Sequence, residues 1–262
     1  MDSMKKRGIY LGMVGLLFAS PLFAQSPGKQ VTKQQLIWYA YNNTLEFSPA
    51  WSLATEIHER RFMNPGEQHQ FQVSSRLNYS LGYNWSASAG FTYFLQSPHD
   101  PRAADDLVVP ELRPHLQVDY RQPLGRLTIG HRYRAEKRFF RKTADGELTD
   151  GYTTNYRFRY RLGLEYQLAS LYNRPLKVKV SDEVHLNAGK SITYNRFDQN
   201  RVYIGLNYAV HQNINAEAGY LYWYQQRASG NQFYKRDIIS FSINHKINLK
   251  RKEDADPADI KK

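Results

Sequence analysis

The sequence of 262 residues contains no cysteine, which excludes a disulfide framework, a cysteine-ligated metal and a cysteine nucleophile. It also has no phosphate-cradling glycine loop, no paired-histidine metal spacing and no nucleophile elbow, so we expect neither a metal nor a cofactor. After the first 24 residues, no stretch is long and apolar enough for a membrane-spanning helix. Aromatic residues are plentiful instead, with 20 Tyr, 13 Phe and 4 Trp, and this content excludes an intrinsically disordered chain.

The first 24 residues have the features of an export signal. Three basic residues at positions 5–7 precede an apolar run over residues 9–18, and Ala24 is the small residue that cleavage requires. The run is shorter than the roughly 20 residues that cross a bilayer, which argues against a retained anchor helix. We therefore predict three parts: a cleaved signal peptide (1–24), a β-barrel (25–249) and a charged periplasmic tail (250–262).

Apolar and polar residues alternate with a period of two along most of the remaining chain. In residues 156–168, aromatic or leucine side chains alternate with a polar set that begins with Arg157, Arg159 and Arg161. A helix needs apolar residues three and four positions apart, so this pattern predicts a strand. Most of the segments that carry the pattern have the length of tilted strands that cross a bilayer, about 9–11 residues or slightly more. The eleven segments are 36–47, 51–62, 70–81, 85–95, 111–120, 126–140, 156–168, 176–187, 201–210, 214–224 and 237–249.

The connections between these segments alternate in length. Short ones cover residues 48–50, 82–84, 122–125, 171–174 and 211–213, and longer ones cover 64–68, 96–110, 141–152, 188–200 and 227–236. This layout predicts an all-β, transmembrane antiparallel β-barrel with short periplasmic turns and longer extracellular loops, since a soluble sandwich would not sort its connections so regularly. Bacterial barrels have an even number of strands, so eleven candidates predict ten or twelve. Either residues 25–35 add a strand or residues 36–47 are not part of the wall.

If the apolar faces meet lipid, the opposite faces line a lumen in which cations outnumber acids. The predicted luminal charge network consists of Glu56, Arg60, Glu111, Arg113, Arg132, Arg134, Glu136, Arg138, Arg157, Arg159, Arg161, Glu165, Glu183, His185 and Arg201. These charges could simply satisfy one another in a narrow lumen, or unpaired arginines could attract anions such as carboxylates or phosphates. Nucleic-acid binding is excluded because the arginines share one strand face and form no exposed patch.

Two residues break the alternation. Asp182 falls on the apolar face, and we expect a β-bulge at residues 181–182 to turn it inward. His131 falls on the lipid side without a convincing outward serine and carboxylate beside it, and the same holds for His245. A neutral histidine at the membrane interface is therefore favoured over a catalytic one.

Several segments together resemble a family of exported barrel-forming proteins known as domain of unknown function 2490. The resemblance runs over residues 38–249 and is carried by Glu56 with Arg60 and by the segments 110–114, 132–140, 157–161, 182–187 and 197–201. It implies an outer-membrane barrel but no reaction and no ligand, so no catalytic residue follows from it. The last strand ends Ile247-Asn248-Leu249, whereas a common barrel-insertion signal ends on an aromatic residue.

Three functional hypotheses follow for an outer-membrane protein of a Gram-negative bacterium. The first is a non-enzymatic barrel with an arginine-rich lumen, either a narrow anion-leaning pore or a structural component of the envelope. The second is a lipid-modifying enzyme that uses His131 or His185. The third is an assembly or binding partner in an envelope complex. The expected partners are outer-membrane lipid, small anions and other envelope proteins that bind the long loops.

Overall fold

The computed structural model describes residues 28–249, which form eleven β-strands. The strands are β1 (Gln30–Glu46), β2 (Trp51–Phe62), β3 (Gln68–Gly82), β4 (Trp85–Gln96), β5 (Val109–Leu124), β6 (Leu127–Ala144), β7 (Glu147–Leu171), β8 (Arg174–Ala188), β9 (Phe197–His211), β10 (Ile214–Gln226) and β11 (Gln232–Asn248). No helix in this part of the chain is long and apolar enough to span a membrane. The predicted signal peptide (1–24) and charged tail (250–262) lie outside the described residues.

The eleven strands form one closed barrel, which confirms the predicted all-β barrel fold. Each strand pairs antiparallel with the next in the chain, and β1 closes the ring by pairing in parallel with β11. Eleven strands lie within the predicted span of ten to twelve. The prediction of an even number was wrong, and so was the prediction that all neighbouring strands are antiparallel. In an up-and-down barrel with an odd number of strands, the first and last strands run in the same direction and must pair in parallel. Residues 30–35 extend β1 and add no separate strand.

The two faces of the closed sheet differ in the way the alternation predicts. In β7, Asn155 and Arg157 are buried, whereas Tyr156 and Phe158 are 46% and 51% exposed. Because successive side chains of a strand point to opposite faces, the charged set lies inside the barrel and the apolar set covers its outer wall.

The connections at the two ends of the barrel differ in length. At one end, here called the turn end, they cover residues 47–50, 83–84, 125–126, 172–173 and 212–213. At the other, the loop end, they cover residues 63–67, 97–108, 145–146, 189–196 and 227–231. The predicted loop 141–152 was wrong, because β6 and β7 continue as a hairpin to a two-residue turn. Asp145 and Gly146 have the positive φ angles, 52° and 79°, that such a tight turn requires.

The predicted bulge at residues 181–182 was wrong. The register between β7 and β8 is continuous there, and Asp182 points outward, where Asn200 donates a hydrogen bond to its carboxylate. This bond satisfies Asp182 on the outer wall, so the strand does not need to turn it inward. Register shifts occur instead beside Asp198 in β9 and beside His69 in β3, and both of these side chains are buried.

Candidate functional site

A polar cavity of about 650 Å³ lies inside the barrel at the turn end. We call it the vestibule. Residues 48–50 of the first turn and Arg121, near the end of β5, line its mouth, so it opens toward that end of the barrel. Its wall includes Gly130, Gly163 and Ser181. These small residues leave open the space that larger side chains would fill.

Most charged groups of the vestibule are paired. Lys177 Nζ lies 2.7 Å from a Glu165 carboxylate oxygen, and Lys179 Nζ lies 2.6 Å from Glu217. Glu165 thus pairs with lysines of β8, and it forms no ion pair with the arginines of β6 and β7 that were predicted to share its luminal network. Arg161 also lines this cavity, and its guanidinium has no carboxylate within 4.0 Å among residues 28–249.

Arg76, another residue that lines the vestibule, is also paired. Arg76 forms an ion pair with Glu56 across strands β2 and β3. The resemblance grouped Glu56 with Arg60, but Arg60 donates to the amide oxygens of Gln70 and Gln72 at 2.7 and 3.2 Å. Glu56 therefore neutralises a vestibule arginine and not Arg60.

Glu183 is the centre of a buried charge cluster above the vestibule. Arg132 Nη2 donates to Glu183 Oε1 at 2.6 Å, and Arg159 Nη2 donates to both carboxylate oxygens at 3.0 Å. Arg159 also bridges to Glu136, with 2.8 Å between Nη1 and Oε1. Arg134 lies 3.8 Å from the same Glu136 oxygen. Three strands, β6, β7 and β8, thus share their charges across the interior.

Glu111 is the centre of a second cluster nearer the loop end. Arg113 Nη2 donates to Glu111 Oε2 at 2.7 Å, and Arg138 Nη2 donates to the same oxygen at 3.1 Å. Each arginine makes a second bond through Nε, so Glu111 accepts two bidentate pairs. Arg157 is neutralised separately by Asp198, with 2.7 Å between Nη2 and Oδ2. The sequence analysis missed Asp198 because it placed residues 188–200 in a loop, whereas β9 begins at Phe197 and a bulge turns Asp198 inward.

A third group combines arginines with two tryptophans at the loop end. The rings of Trp38 and Trp223 meet edge to face with 5.7 Å between centroids. The guanidinium carbon of Arg60 lies 4.1 Å from the Trp38 ring centroid, and those of Arg201 and Arg236 lie 4.6 and 4.3 Å from that of Trp223. The sequence analysis missed Arg236, Trp38 and Trp223. Arg236 precedes the predicted strand 237–249 by one residue and is in phase with its inward positions.

The loop 97–108 covers this group. The backbone N–H of Ser97 donates to the carbonyl of His69 at 3.1 Å, and the Gln34 amide donates to the carbonyl of His99 at 2.6 Å. The His99 ring lies 5.4 Å from the Tyr234 ring of β11. Burial of the His99 ring, with cationic Arg236 nearby, lowers the pKa of His99 to about 3, so the ring stays neutral at neutral pH. The loop therefore packs against β1, β3 and β11 over the tryptophan–arginine group.

A family model described as a protein of unknown function, DUF2490, matches residues 35–234. This chain belongs to the DUF2490 family. None of the curated proteins matches it. Among solved structures, the NanC porin is 13% identical, with a TM-score of 0.47, 79% of this chain and 94% of that chain covered. The beta domain of the Bordetella autotransporter BrkA is 12% identical, with a TM-score of 0.40 and 75% and 82% covered.

The two histidines considered as catalytic residues have different surroundings in this DUF2490 protein. His185 is 1% exposed, with Nε2 at 3.1 Å from Glu183 and Nδ1 at 2.8 Å from the Gln199 amide. His131 lies on the outer wall, with Nδ1 at 2.9 Å from the Tyr160 hydroxyl. Within residues 28–249, no serine or threonine hydroxyl is hydrogen-bonded to either ring. In the part of the chain that the structure describes, no group of three histidine or carboxylate side chains could hold a metal ion.

Proposed function

We propose that this protein is a non-enzymatic outer-membrane β-barrel whose arginine-rich, charge-paired interior acts as a narrow, anion-leaning pore. The observation that carries the proposal is the excess of cations inside the closed barrel. The proposal has two parts, insertion of the outer wall into lipid and selection of anions by the interior, and separate features support each part.

The outer wall supports membrane insertion. On the outer wall, Leu164 of β7, Ile204 of β9 and Phe241 of β11 are 40%, 52% and 43% exposed. A soluble protein rarely exposes a continuous apolar surface of this extent, whereas a barrel in a bilayer needs one. Outer-membrane lipid is then the partner of this wall, and the short turns face the periplasm as in other barrels of this kind.

The interior supports anion preference. Thirteen cationic and nine acidic side chains face inward and are buried or half-buried, an excess of four positive charges. Arginine-lined interiors favour anions because the fixed positive potential lowers the energy of a passing negative charge. The cations are Arg60, Arg76, Arg113, Arg132, Arg134, Arg138, Arg157, Arg159, Arg161, Lys177, Lys179, Arg201 and Arg236, and the acids are Glu46, Glu56, Glu111, Asp119, Glu136, Glu165, Glu183, Asp198 and Glu217.

The packing above the vestibule makes the passage narrow. Leu36, Trp223 and Arg236 are at most 1% exposed, and their side chains fill the barrel below the loop 97–108. We therefore expect a small conductance that depends on local movement of these groups.

Single-channel recording in planar lipid bilayers under a KCl gradient tests the proposal. The wild-type protein should give a small current whose reversal potential has the sign of anion selectivity. Combining Arg134→Gln with Arg159→Gln should move the reversal potential toward or past zero, because both guanidiniums face the interior at the Glu136 cluster. Heat-modifiable mobility in gels establishes that each variant is folded.

Lys137→Gln is the matched control for this experiment. Lys137 lies on β6 between the inward-facing Glu136 and Arg138, but it points to the outer wall, where its Nζ lies 5.0 Å from the Phe139 ring. The substitution removes a charge without touching the interior, so selectivity should stay as in the wild type. A cation-selective current in the wild type would refute the anion preference of the pore. A folded barrel that passes no current would favour a structural role in the envelope.

A further inference from the structure

The vestibule contains an arginine pair that the ion-pair clusters leave incompletely neutralised. We propose that Arg161 and Arg132 form a binding site for a small oxyanion group, a phosphate or a carboxylate, that enters from the turn end. This inference deepens the proposed function and rests on its barrel interior, but it does not require that ions cross the membrane.

The register brings the two guanidiniums together. Arg132 of β6 and Arg161 of β7 are directly opposite each other on the inward face. Side chains at such positions start from β-carbons only about 5 Å apart, so the two positive charges repel unless an anion lies between them. Glu183 accepts from Arg132 at 2.6 Å, whereas Arg161 has no ion pair with any residue from 28 to 249. One guanidinium of the pair is therefore available to a ligand.

Free space lies beside this pair, toward the turn end. The neighbouring inward positions are Gly130 and Gly163, which also face each other across β6 and β7. A β-carbon added at Gly130 would meet no atom closer than the Gly163 carbonyl oxygen, at 3.9 Å. Ser181, opposite Gly163 on β8, adds a small polar side chain to the same wall. The cavity therefore extends to the guanidiniums.

The chemistry of the pair favours an oxyanion. A planar guanidinium offers parallel N–H donors that match two oxygens of a carboxylate or phosphate. Two acids compete for Arg161. Glu183, opposite Arg161 on β8, accepts hydrogen bonds from Arg132 and Arg159 instead. Asp119, opposite Arg132 on β5, accepts a hydrogen bond from the Gln117 amide at 2.6 Å. Both acids are thus hydrogen-bonded to other side chains, and Arg161 keeps its donors free for a solute.

Isothermal titration calorimetry on the refolded full-length barrel in a non-ionic detergent tests the site. Inorganic phosphate and acetate, titrated separately at constant ionic strength, distinguish a phosphate site from a carboxylate site. We expect saturable binding of at least one anion, and Arg161→Gln should weaken it by about tenfold or more, as expected for loss of a charged hydrogen-bond donor. Arg161→Lys, which keeps the charge but loses the planar fork, should give an intermediate affinity.

Two further variants separate this site from general electrostatics. Lys246→Gln removes one positive charge at the rim of the turn end, where Lys246 pairs with Glu46, and should change affinity by less than about twofold. Gly130→Val keeps every charge but fills the space beside the pair, so it should also weaken binding, and it serves if Arg161→Gln does not fold. The inference would be overturned if neither anion showed saturable binding, or if Arg161→Gln and Lys246→Gln weakened binding equally. Conductance is measured separately, so a silent barrel that binds phosphate would refute the pore alone.

Discussion

Glu183→Gln is expected to lower the free energy of unfolding by about 3–5 kcal/mol, because it removes one partner of a buried ion-pair cluster. Glu183 is 5% exposed and accepts hydrogen bonds from Arg132 and Arg159. The glutamine side chain is of the same size but uncharged, so both arginines would stay buried with less neutralising charge. Urea unfolding of the barrel in lipid vesicles, followed by tryptophan fluorescence, measures the loss.

The matched control for this prediction is Glu46→Gln. Glu46 also pairs with a cation, with 2.7 Å to Lys246 Nζ, but its side chain is 38% exposed and that of Lys246 is 53% exposed. Solvent screens such a pair, so the substitution should change the free energy of unfolding by no more than about 1 kcal/mol. Equal effects of the two substitutions would mean that the interior charges are hydrated and do not form a dry cluster.

The period-two alternation allowed most of the wall to be predicted from the sequence. Over residues 156–168 it predicts strand β7, and in the structure the arginine positions of β7 face inward while Phe158 and Tyr160 are exposed on the outer wall. The rule is reliable here because a one-residue slip would place several arginines in lipid. The same constraint operates in β6, where Arg134 and Arg138 are buried.

The closure of the barrel could not be predicted in this way. Alternation within a strand is a local signal, whereas the pairing of β1 with β11 joins residues about 200 positions apart, such as Leu36 and Ile238. The parity rule for bacterial barrels then favoured the wrong count. The long β6–β7 hairpin was missed for a different reason, because polar residues 141–152 lack an apolar face and form a ladder above the barrel.

The sequence analysis also failed to predict that aromatic residues lie in the interior of the barrel. Alternation was interpreted with aromatics facing lipid, but Trp38 and Trp223 are 8% and 1% exposed inside the barrel. Both indoles pack against guanidiniums, which is favourable because a cation is attracted to the face of an aromatic ring. The alternation itself would have placed both rings correctly, because Trp38 is in phase with Glu46 of β1 and Trp223 is in phase with Glu217 of β10.

Gly219→Ala is expected to destabilise the barrel by about 1–3 kcal/mol, as overpacking does in a well-packed interior. A β-carbon at Gly219 would lie 2.6 Å from the carbonyl oxygen of Ile204 and 2.6 Å from the Tyr203 ring. Tyr203 covers this glycine and donates a hydrogen bond to Glu217 at 2.8 Å. Because the carbonyl belongs to the neighbouring backbone, the strands themselves must move apart, and adding Tyr203→Ala should not restore the wild-type stability.

Gly130→Ala is the control for Gly219→Ala, since its new β-carbon meets nothing closer than 3.9 Å. Both glycines lie in strands of the same barrel and lose the same backbone freedom on substitution, so the difference between them isolates the steric contact. Gly130→Ala should leave stability unchanged or raise it by up to about 1 kcal/mol. Urea midpoints measured in the same vesicles compare the two variants. If both variants unfolded at the same urea concentration, the inference that Tyr203 and the backbone of β9 leave no room for a β-carbon at Gly219 would be wrong.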